Sequence, residues 1–382
     1  MNLSPEEVAR YSRHLMIPEI GLEGQLKLKS SKVLCIGAGG LGSPLIMYLA
    51  AAGIGTLGIV DPDTVDASNL HRQLLHTRLD VGREKVVSAY EKVQLINGNV
   101  NVKTYSERLT ESNAKKICSD YDIIVDGTDN FPTRYLTNDV CVLLGKPNVH
   151  ASIFRFEGQA SVFDATRGPC YRCLYPEAPP PGAIPSCAEG GVLGILPGLL
   201  GLVQATEVIK LITGIGDPLI GRMFMFDALA MRARDLRLRK NPHCPACGEN
   251  ALLKDLASFD YQAFCGIQPA GAEPDDLEEM SAAEAHELMM QIPKDVIALD
   301  VRDDHEWAIC RIEGARHIPL SRLQAGLESL DRSKTVIVYC LAGGRSKKAQ
   351  RLLHEQGFDR VINMRGGIRA WARQVDTVMP VY

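Results

Sequence analysis

The sequence predicts an α/β protein in two parts, a doubly wound parallel sheet followed by a second, smaller α/β domain. Three observations predict it. Apolar runs that read as buried strands alternate with helical segments through the first part of the chain. A glycine-rich hexapeptide joins the first of these strands to its helix. A stretch rich in proline, glycine and acidic residues, 266–276, reads as a linker before another strand–helix set of roughly 100 residues. A chain of 382 residues, at about 150 per domain, allows two or three domains. The boundaries fall at 1–265, 266–277 and 278–382.

Taken in order, Ser4-Pro5-Glu6-Glu7 is a capping box with proline at the first helical position, which predicts a helix running through Arg13 and His14. Residues 32–37 read as a strand, 41–52 as its helix, 56–61 as a second strand and 122–126 as a later one. Residues 190–203 are 14 uncharged positions that contain Pro197 and run into Gln204, Glu207 and Lys210. A buried helix fits them better than a membrane span, which needs about 20 apolar residues. Beyond the linker, Ser281 to Glu284 is a second capping box, 296–301 and 335–339 are strands, and 346–356 is a helix.

Composition narrows the function. Forty-two Lys and Arg against 46 Asp and Glu leave a net charge of −4, which excludes a strongly basic nucleic-acid binder and gives no reason to expect an anionic membrane surface as partner. The N-terminal Met-Asn-Leu-Ser-Pro-Glu-Glu shows no secretory signal, so a cytoplasmic, reduced protein is expected. In that compartment the 11 cysteines read as metal ligands or reactive thiols rather than disulfides.

Gly37-Ala38-Gly39-Gly40-Leu41-Gly42 fits G-x-G-x-x-G, whose glycines let backbone approach phosphate at a helix N-terminus. Asp61 ends the next strand, where a carboxylate can hold a ribose hydroxyl. Alone, this suits a nicotinamide dinucleotide oxidoreductase. Asn69-Leu70-His71-Arg72-Gln73 and Lys85 add more positive charge than such a cofactor needs and suit a triphosphate. Asp129, with Asn130 after a later strand, is placed to hold Mg²⁺ together with phosphate oxygens. Taken singly, Arg72 and Lys85 also fit solvated helix positions, and Asp129 a turn or cap.

Cys170-Tyr171-Arg172-Cys173 and Cys244-Pro245-Ala246-Cys247 are two C-x-x-C knuckles separated by 70 residues, a pattern suited to a closed tetrahedral Zn²⁺ site. A redox C-x-x-C, or unconnected buried thiols, are the alternatives. Cys340 ends a strand and opens the loop Leu341-Ala342-Gly343-Gly344-Arg345-Ser346 before a helix, so backbone N–H groups and Arg345 would favour a thiolate or persulfide there. Cys187 lies in a proline-rich segment where Ser186 and Glu189 fit a helix cap, a setting that favours ionisation of the thiol; a loop cysteine with no role fits the segment equally.

Together, Arg10-Tyr11-Ser12-Arg13, the glycine hexapeptide, Ser68-Asn69-Leu70-His71-Arg72-Gln73, Thr128-Asp129-Asn130 and Glu157-Gly158-Gln159 resemble the MoeB/ThiF family, bacterial relatives of ubiquitin-activating enzymes, over residues 1–250. The resemblance implies a Rossmann-like ATP-binding domain with zinc at the four cysteines. It implies adenylylation, with ATP, of the C-terminal glycine carboxylate of a small ubiquitin-fold sulfur carrier ending in Gly-Gly. It also implies a homodimer in which Arg13 reaches the neighbouring subunit's ATP, and places at Cys187 a cysteine that forms a thioester or acyl disulfide with the carrier.

With Asp300-Val301-Arg302, Gly314-Ala315-Arg316-His317-Ile318-Pro319 and Gly366-Gly367-Ile368-Arg369-Ala370-Trp371, residues 278–382 resemble a rhodanese sulfurtransferase domain with Cys340 as its persulfide cysteine. It departs from many relatives in the apolar Leu341 and in Arg311, which stands where a histidine is common. The whole chain resembles MoeZ-type fusions, which implies that the persulfide, charged by a sulfur donor such as a cysteine desulfurase or thiosulfate, turns the acyl-adenylate into a thiocarboxylate. Carrier proteins serving molybdopterin, thiamine, cysteine, siderophore or tRNA sulfur are all compatible with it. The rival readings are the oxidoreductase and a non-catalytic scaffold that binds carrier proteins.

Overall fold

The computed structural model describes residues 2–180, 190–266 and 277–382, in two compact units, Met1–Pro269 and Ala270–Tyr382. The first is built on an eight-stranded sheet. Its strands are β1 (Lys32–Ile36), β2 (Thr56–Val60), β3 (Asn101–Tyr105), β4 (Ile123–Asp126), β5 (Asn148–Phe154), β6 (Glu157–Phe163), β7 (Arg222–Asp227) and β8 (Arg232–Arg237), in the order β3-β2-β1-β4-β5-β6-β7-β8. From β3 to β5 every pairing is parallel; β6, β7 and β8 are added antiparallel. Parallel strands are covered on both faces, so β1, β2 and β4 are apolar runs and not alternating ones. Strand order reverses between β1 and β4, and the crevice at their carboxyl ends is where open α/β sheets bind ligands.

The apolar segment after residue 190 becomes the helix Ile195–Thr213, whose buried Leu196, Leu200, Gln204 and Val208 recur every fourth residue. By length and composition it would also pass as a membrane span. Here it lies against the helix Gly42–Ala52, and a Cβ on Gly201 would stand 2.4 Å from the carbonyl oxygen of Leu41, just before that helix.

The N-terminal helix is shorter than the sequence predicts. It spans Pro5–Arg10 under its capping box, and a second turn, Ser12–Leu15, follows. The break is at Tyr11, whose ring is buried beside Gly53 and whose hydroxyl accepts a hydrogen bond from Asn97 Nδ2 at 2.8 Å. Tertiary burial of one aromatic ring overrides helix continuation.

The second unit is a five-stranded sheet of β9 (Glu279–Met280), β10 (Val296–Asp300), β11 (Arg316–His317), β12 (Thr335–Tyr339) and β13 (Val361–Met364), all parallel, in the order β11-β10-β12-β13-β9. Ser281 caps the helix Ala282–Gln291 through the expected box. Central β12, buried from Val336 onward, delivers Cys340 to the helix Gly344–Glu355. Most of the proposed linker, and Cys187 with its cap residues, lie outside the described residues.

Candidate functional site

At the β1–β4 crevice lies a cavity of about 380 Å³. Its wall comes from the loops after β1, β2 and β4 and includes Gly39, Gly40, Asp61, Arg72, Gln73, Lys85, Asp129 and Asn130. The glycines divide the work. Gly37 has φ +96°, and a Cβ on Gly42 would stand 2.0 Å from Gly37 O, so these two let the loop turn and the helix approach β1. A Cβ on Gly39 would meet only the Gln73 amide, at 3.5 Å, so what its absence preserves is space in the cavity. A cradle of this kind fits the phosphates of a nucleotide.

Buried groups hold the loop. Asp61 accepts from the N–H of Ala38 at 2.8 Å and of Asp63 at 2.9 Å. His76 Nε2–H donates to Ala38 O at 2.9 Å, and its Nδ1 meets Ser88 Oγ at 2.9 Å. Ala38 is thereby clamped through both its N–H and its C=O. Burial raises the Asp61 pKa, a shift the Lys85 charge opposes, and burial lowers that of His76, which keeps the imidazole neutral.

The cations predicted for phosphate carry partners already. Lys85, the first residue of the helix Lys85–Ile96, is buried with Nζ 2.9 Å from Asp63 Oδ2 and 3.7 Å from Asp61 Oδ1. Arg72 donates to Asn69 Oδ1 at 2.5 Å and stands 2.8 Å from His71 Nε2. Asn69 and His71 therefore orient Arg72, and neither they nor Ser68 and Leu70 line the cavity. Asn130 caps the helix Phe131–Leu144, accepting from Thr133 N at 3.0 Å, while Asp129 is exposed at the cavity. Arg13 is exposed on its short helix and forms no part of the cavity wall.

Sequence reasoning missed Arg134, Asp126 and His150. Arg134 lies one turn into the helix that Asn130 caps, and its Nη2 donates to Thr128 O at 3.1 Å. His150 on β5 donates Nδ1–H to Asp126 Oδ2 at 3.0 Å, both fully buried. Burial pushes the Asp126 pKa up, but the His150 hydrogen bond, the Arg134 charge and the Thr128 hydrogen bond together outweigh it and hold the pKa below its ordinary value. Burial also lowers His150 and keeps it neutral. A second cavity of about 590 Å³ adjoins the first, walled by Phe131, Tyr135, Phe154, Gly158, Tyr171 and Tyr175 among others, with Arg134 and Ile153 common to both.

The four knuckle cysteines converge. Cys170 and Cys244 sulfurs are 3.5 Å apart, Cys173 and Cys247 3.4 Å, Cys170 and Cys173 3.9 Å, and all four lie within 4.8 Å of one another. Sulfurs around a tetrahedral zinc at about 2.3 Å would stand about 3.8 Å apart, so the set fits Zn²⁺. Between the first two thiols, Tyr171 lines the apolar cavity, and buried Arg172 makes a bidentate pair with Asp139 at 2.8 Å, to which Tyr261 also donates.

In the second unit Cys340 is 2% exposed, and its sulfur accepts from Gly343 N–H at 3.1 Å and Ser346 Oγ at 3.4 Å. Gly343 has φ +116°, which turns its N–H onto the sulfur. A Cβ on Gly367 would meet Cys340 O at 2.3 Å, so the Gly366-Gly367 pair is the floor of this loop. Leu341 is buried in the core. Arg345 differs from expectation. Its guanidinium is spent on buried Glu306, at 2.5 and 2.6 Å, because Glu306 would otherwise be an unpaired carboxylate in the interior. The Asp300-Val301-Arg302 motif is likewise structural, a buried bidentate ion pair.

Comparison with known proteins agrees with this division. Residues 11–246 match the model of the ThiF family, and residues 281–374 that of the rhodanese-like domain. The chain is 48% identical over 388 residues to the probable adenylyltransferase/sulfurtransferase MoeZ of Mycobacterium tuberculosis (strain CDC 1551 / Oshkosh), covering 100% of this chain and 96% of that one. It is 49% identical over 273 residues to the sulfur carrier protein adenylyltransferase of Thermus thermophilus, covering 70% of this chain and 100% of that one. Among solved structures, E. coli MccB superposes with a TM-score of 0.57 at 23% identity, over 63% of this chain and 75% of its own, which supports the fold. Neither the oxidoreductase nor the scaffold reading finds support among these relatives. The chain belongs to the ThiF family, in the form fused to a rhodanese-like domain, and is an adenylyltransferase and sulfurtransferase.

Proposed function

We propose that the first unit binds ATP and adenylylates the C-terminal glycine of a ubiquitin-fold sulfur carrier ending in Gly-Gly, and that Cys340 then supplies sulfur to give a thiocarboxylate. The observation that carries the reading is the pairing of two anion sites in one chain, the phosphate-sized cradle at Gly39 and the sulfur held by Gly343 N–H. A carboxylate attacking an α-phosphate brings anion to anion, so the work is positioning and charge neutralisation. Arg72 and Lys85 supply charge, and Gly39, Gly40 and Gly42 shape the cradle, with Asp61 bracing it beside Gln73. Asp129 and the phosphates fit Mg²⁺, which would offset phosphate charge. Arg13 is assigned to the partner subunit's nucleotide in a homodimer.

The carboxylate needs no base, being ionised at neutral pH. Its oxygen bonds to the α-phosphorus and pyrophosphate leaves with the electron pair. The outer sulfur of a Cys340 persulfide, loaded by a sulfur donor, attacks the acyl carbon and expels AMP. A thiol, for which Cys187 is the candidate within the chain, then attacks the Cys340 sulfur of this acyl disulfide and expels the thiocarboxylate, leaving a disulfide on Cys340 that a second, external thiol reduces to restore both cysteines. Structural Zn²⁺ at Cys170, Cys173, Cys244 and Cys247, a linker at 266–277 between domains 1–265 and 278–382, and a cytoplasmic setting complete the reading. The test is mass spectrometry of Gly-Gly carriers after incubation with ATP, Mg²⁺ and a sulfur donor. Replacement of one C-terminal oxygen by sulfur is expected, and carriers left unchanged in mass with ATP unspent would refute it.

A further inference from the structure

We propose that Arg134 grips the terminal carboxylate of the incoming carrier tail and aims it at the nucleotide, an inference that rests on the carrier reading above. Arg134 and Ile153 are the two residues common to the 380 Å³ cavity and the 590 Å³ groove. Ile153 has no charge, so Arg134 is the polar group at that junction. The rest of the groove is mainly aromatic and apolar, and its ionic residues besides Arg134 are Glu157 and Glu177. A chain end that threads such a groove must be small and uncharged until its terminus, which then meets a cation at the nucleotide's edge.

The electrostatics of Arg134 separate it from Lys85 and Arg72. Lys85 is neutralised by Asp63, and Arg72 is tied to Asn69 and His71. Arg134 donates to the backbone carbonyl Thr128 O, at 3.4 Å from Nε and 3.1 Å from Nη2, and also interacts with the Tyr171 hydroxyl. Its guanidinium carbon lies 5.3 Å from the centre of the Phe131 ring, and among the described residues it forms no ion pair with a carboxylate. It is thus held in orientation by a neutral acceptor and an aromatic face; its charge helps to hold the buried Asp126 ionised, but no carboxylate among the described residues pairs with its fork, which leaves N–H groups for a ligand. A planar fork suits a carboxylate in two-point contact, which fixes direction as well as place.

The contact can be isolated with a Gly-Gly carrier made in two forms, ending in the native carboxylate and in a C-terminal amide. Affinities are measured by calorimetric titration in the presence of a non-hydrolysable ATP analogue, and the analogue's own affinity is measured without carrier. The unaltered chain should prefer the carboxylate by about tenfold or more. Arg134→Ala should bind both forms within about twofold of each other while holding the ATP analogue as before, and Arg134→Lys should restore part of the preference. A preference that survives in Arg134→Ala overturns the inference, as does an equal loss of analogue affinity, which would assign the side chain to the nucleotide. If the unaltered chain binds the carrier but does not distinguish its two ends, the inference fails and the carrier reading stands. If it binds neither form, the carrier reading itself fails.

Discussion

The two anion sites use one device at two sizes. In each, a buried parallel strand, β1 or β12, runs into a glycine loop and then a helix, so backbone N–H groups converge beyond the strand's end. After β1 the loop opens on a 380 Å³ cavity, and its conformation is held from behind by Asp61 and His76. After β12 the loop closes on one sulfur atom, with Gly367 pressed beneath it. Their cations differ in the same sense. The Asp63 carboxylate that pairs with Lys85 has a side chain 61% exposed, so phosphate can replace it at little cost; the Glu306 that pairs with Arg345 has a side chain 5% exposed and stays. The first site is built to exchange its anion, the second to keep one in place.

The comparison is broken most directly by removing the sulfur. Cys340→Ala is expected to abolish thiocarboxylate formation, by at least ~1000-fold, while carrier-dependent ATP–pyrophosphate exchange continues at its normal rate. If exchange falls with it, the two sites do not work separately.

Lys85→Ala should show the converse. Exchange should drop by about 100-fold, through loss of charge at the phosphates, and the rate at which Cys340 is loaded by a sulfur donor should be unaltered. Loading is read as persulfide mass on the intact chain.

The zinc site sharpens the contrast through stability. Cys173→Ser should lose zinc by elemental analysis and lower the melting temperature of the first unit by about 10 °C, since the four thiols clip segments far apart in sequence. Both tryptophans, Trp307 and Trp371, lie in the second unit, so their fluorescence transition should stay where it was.

How much of this was legible follows from where the information sits. The strands, the capping boxes and the cysteine knuckles are local patterns, and they were readable. Ser4, Ser281 and the C-x-x-C pairs are placed as the sequence predicts. Residues whose role depends on a distant partner were not. Tyr11 ends a helix because Gly53 and Asn97 receive its ring, and Arg345 faces Glu306 instead of the sulfur because the helix Asp304–Ile309 buries a carboxylate there. Arg134 carries no motif of its own; only the junction of two cavities singles it out.

The Arg345–Glu306 pair gives the smallest effect and the finest test of the claim that the second site keeps its charges fixed. Burial would raise the Glu306 pKa, but hydrogen bonds from Arg345 and from Asp303 N–H hold it below the ordinary carboxylate value. A depressed folded-state pKa contributes stability that is present above the unfolded value, about 4.3, and is lost as pH falls through the folded one. The tryptophan-monitored transition should therefore weaken as the solution is acidified below about pH 5. Glu306→Gln should cost about 2 kcal/mol near neutrality, because it leaves a half-buried guanidinium with only the more distant, solvent-exposed Asp303 carboxylate at 3.6 Å, and should flatten that acid dependence. Loading of Cys340 should fall only a few-fold, since the sulfur's own donors, Gly343 N–H and Ser346 Oγ, remain. A collapse of loading to the level of Cys340→Ala, with the transition unchanged, would mean that Arg345 serves the sulfur directly and that this site too depends on a mobile charge.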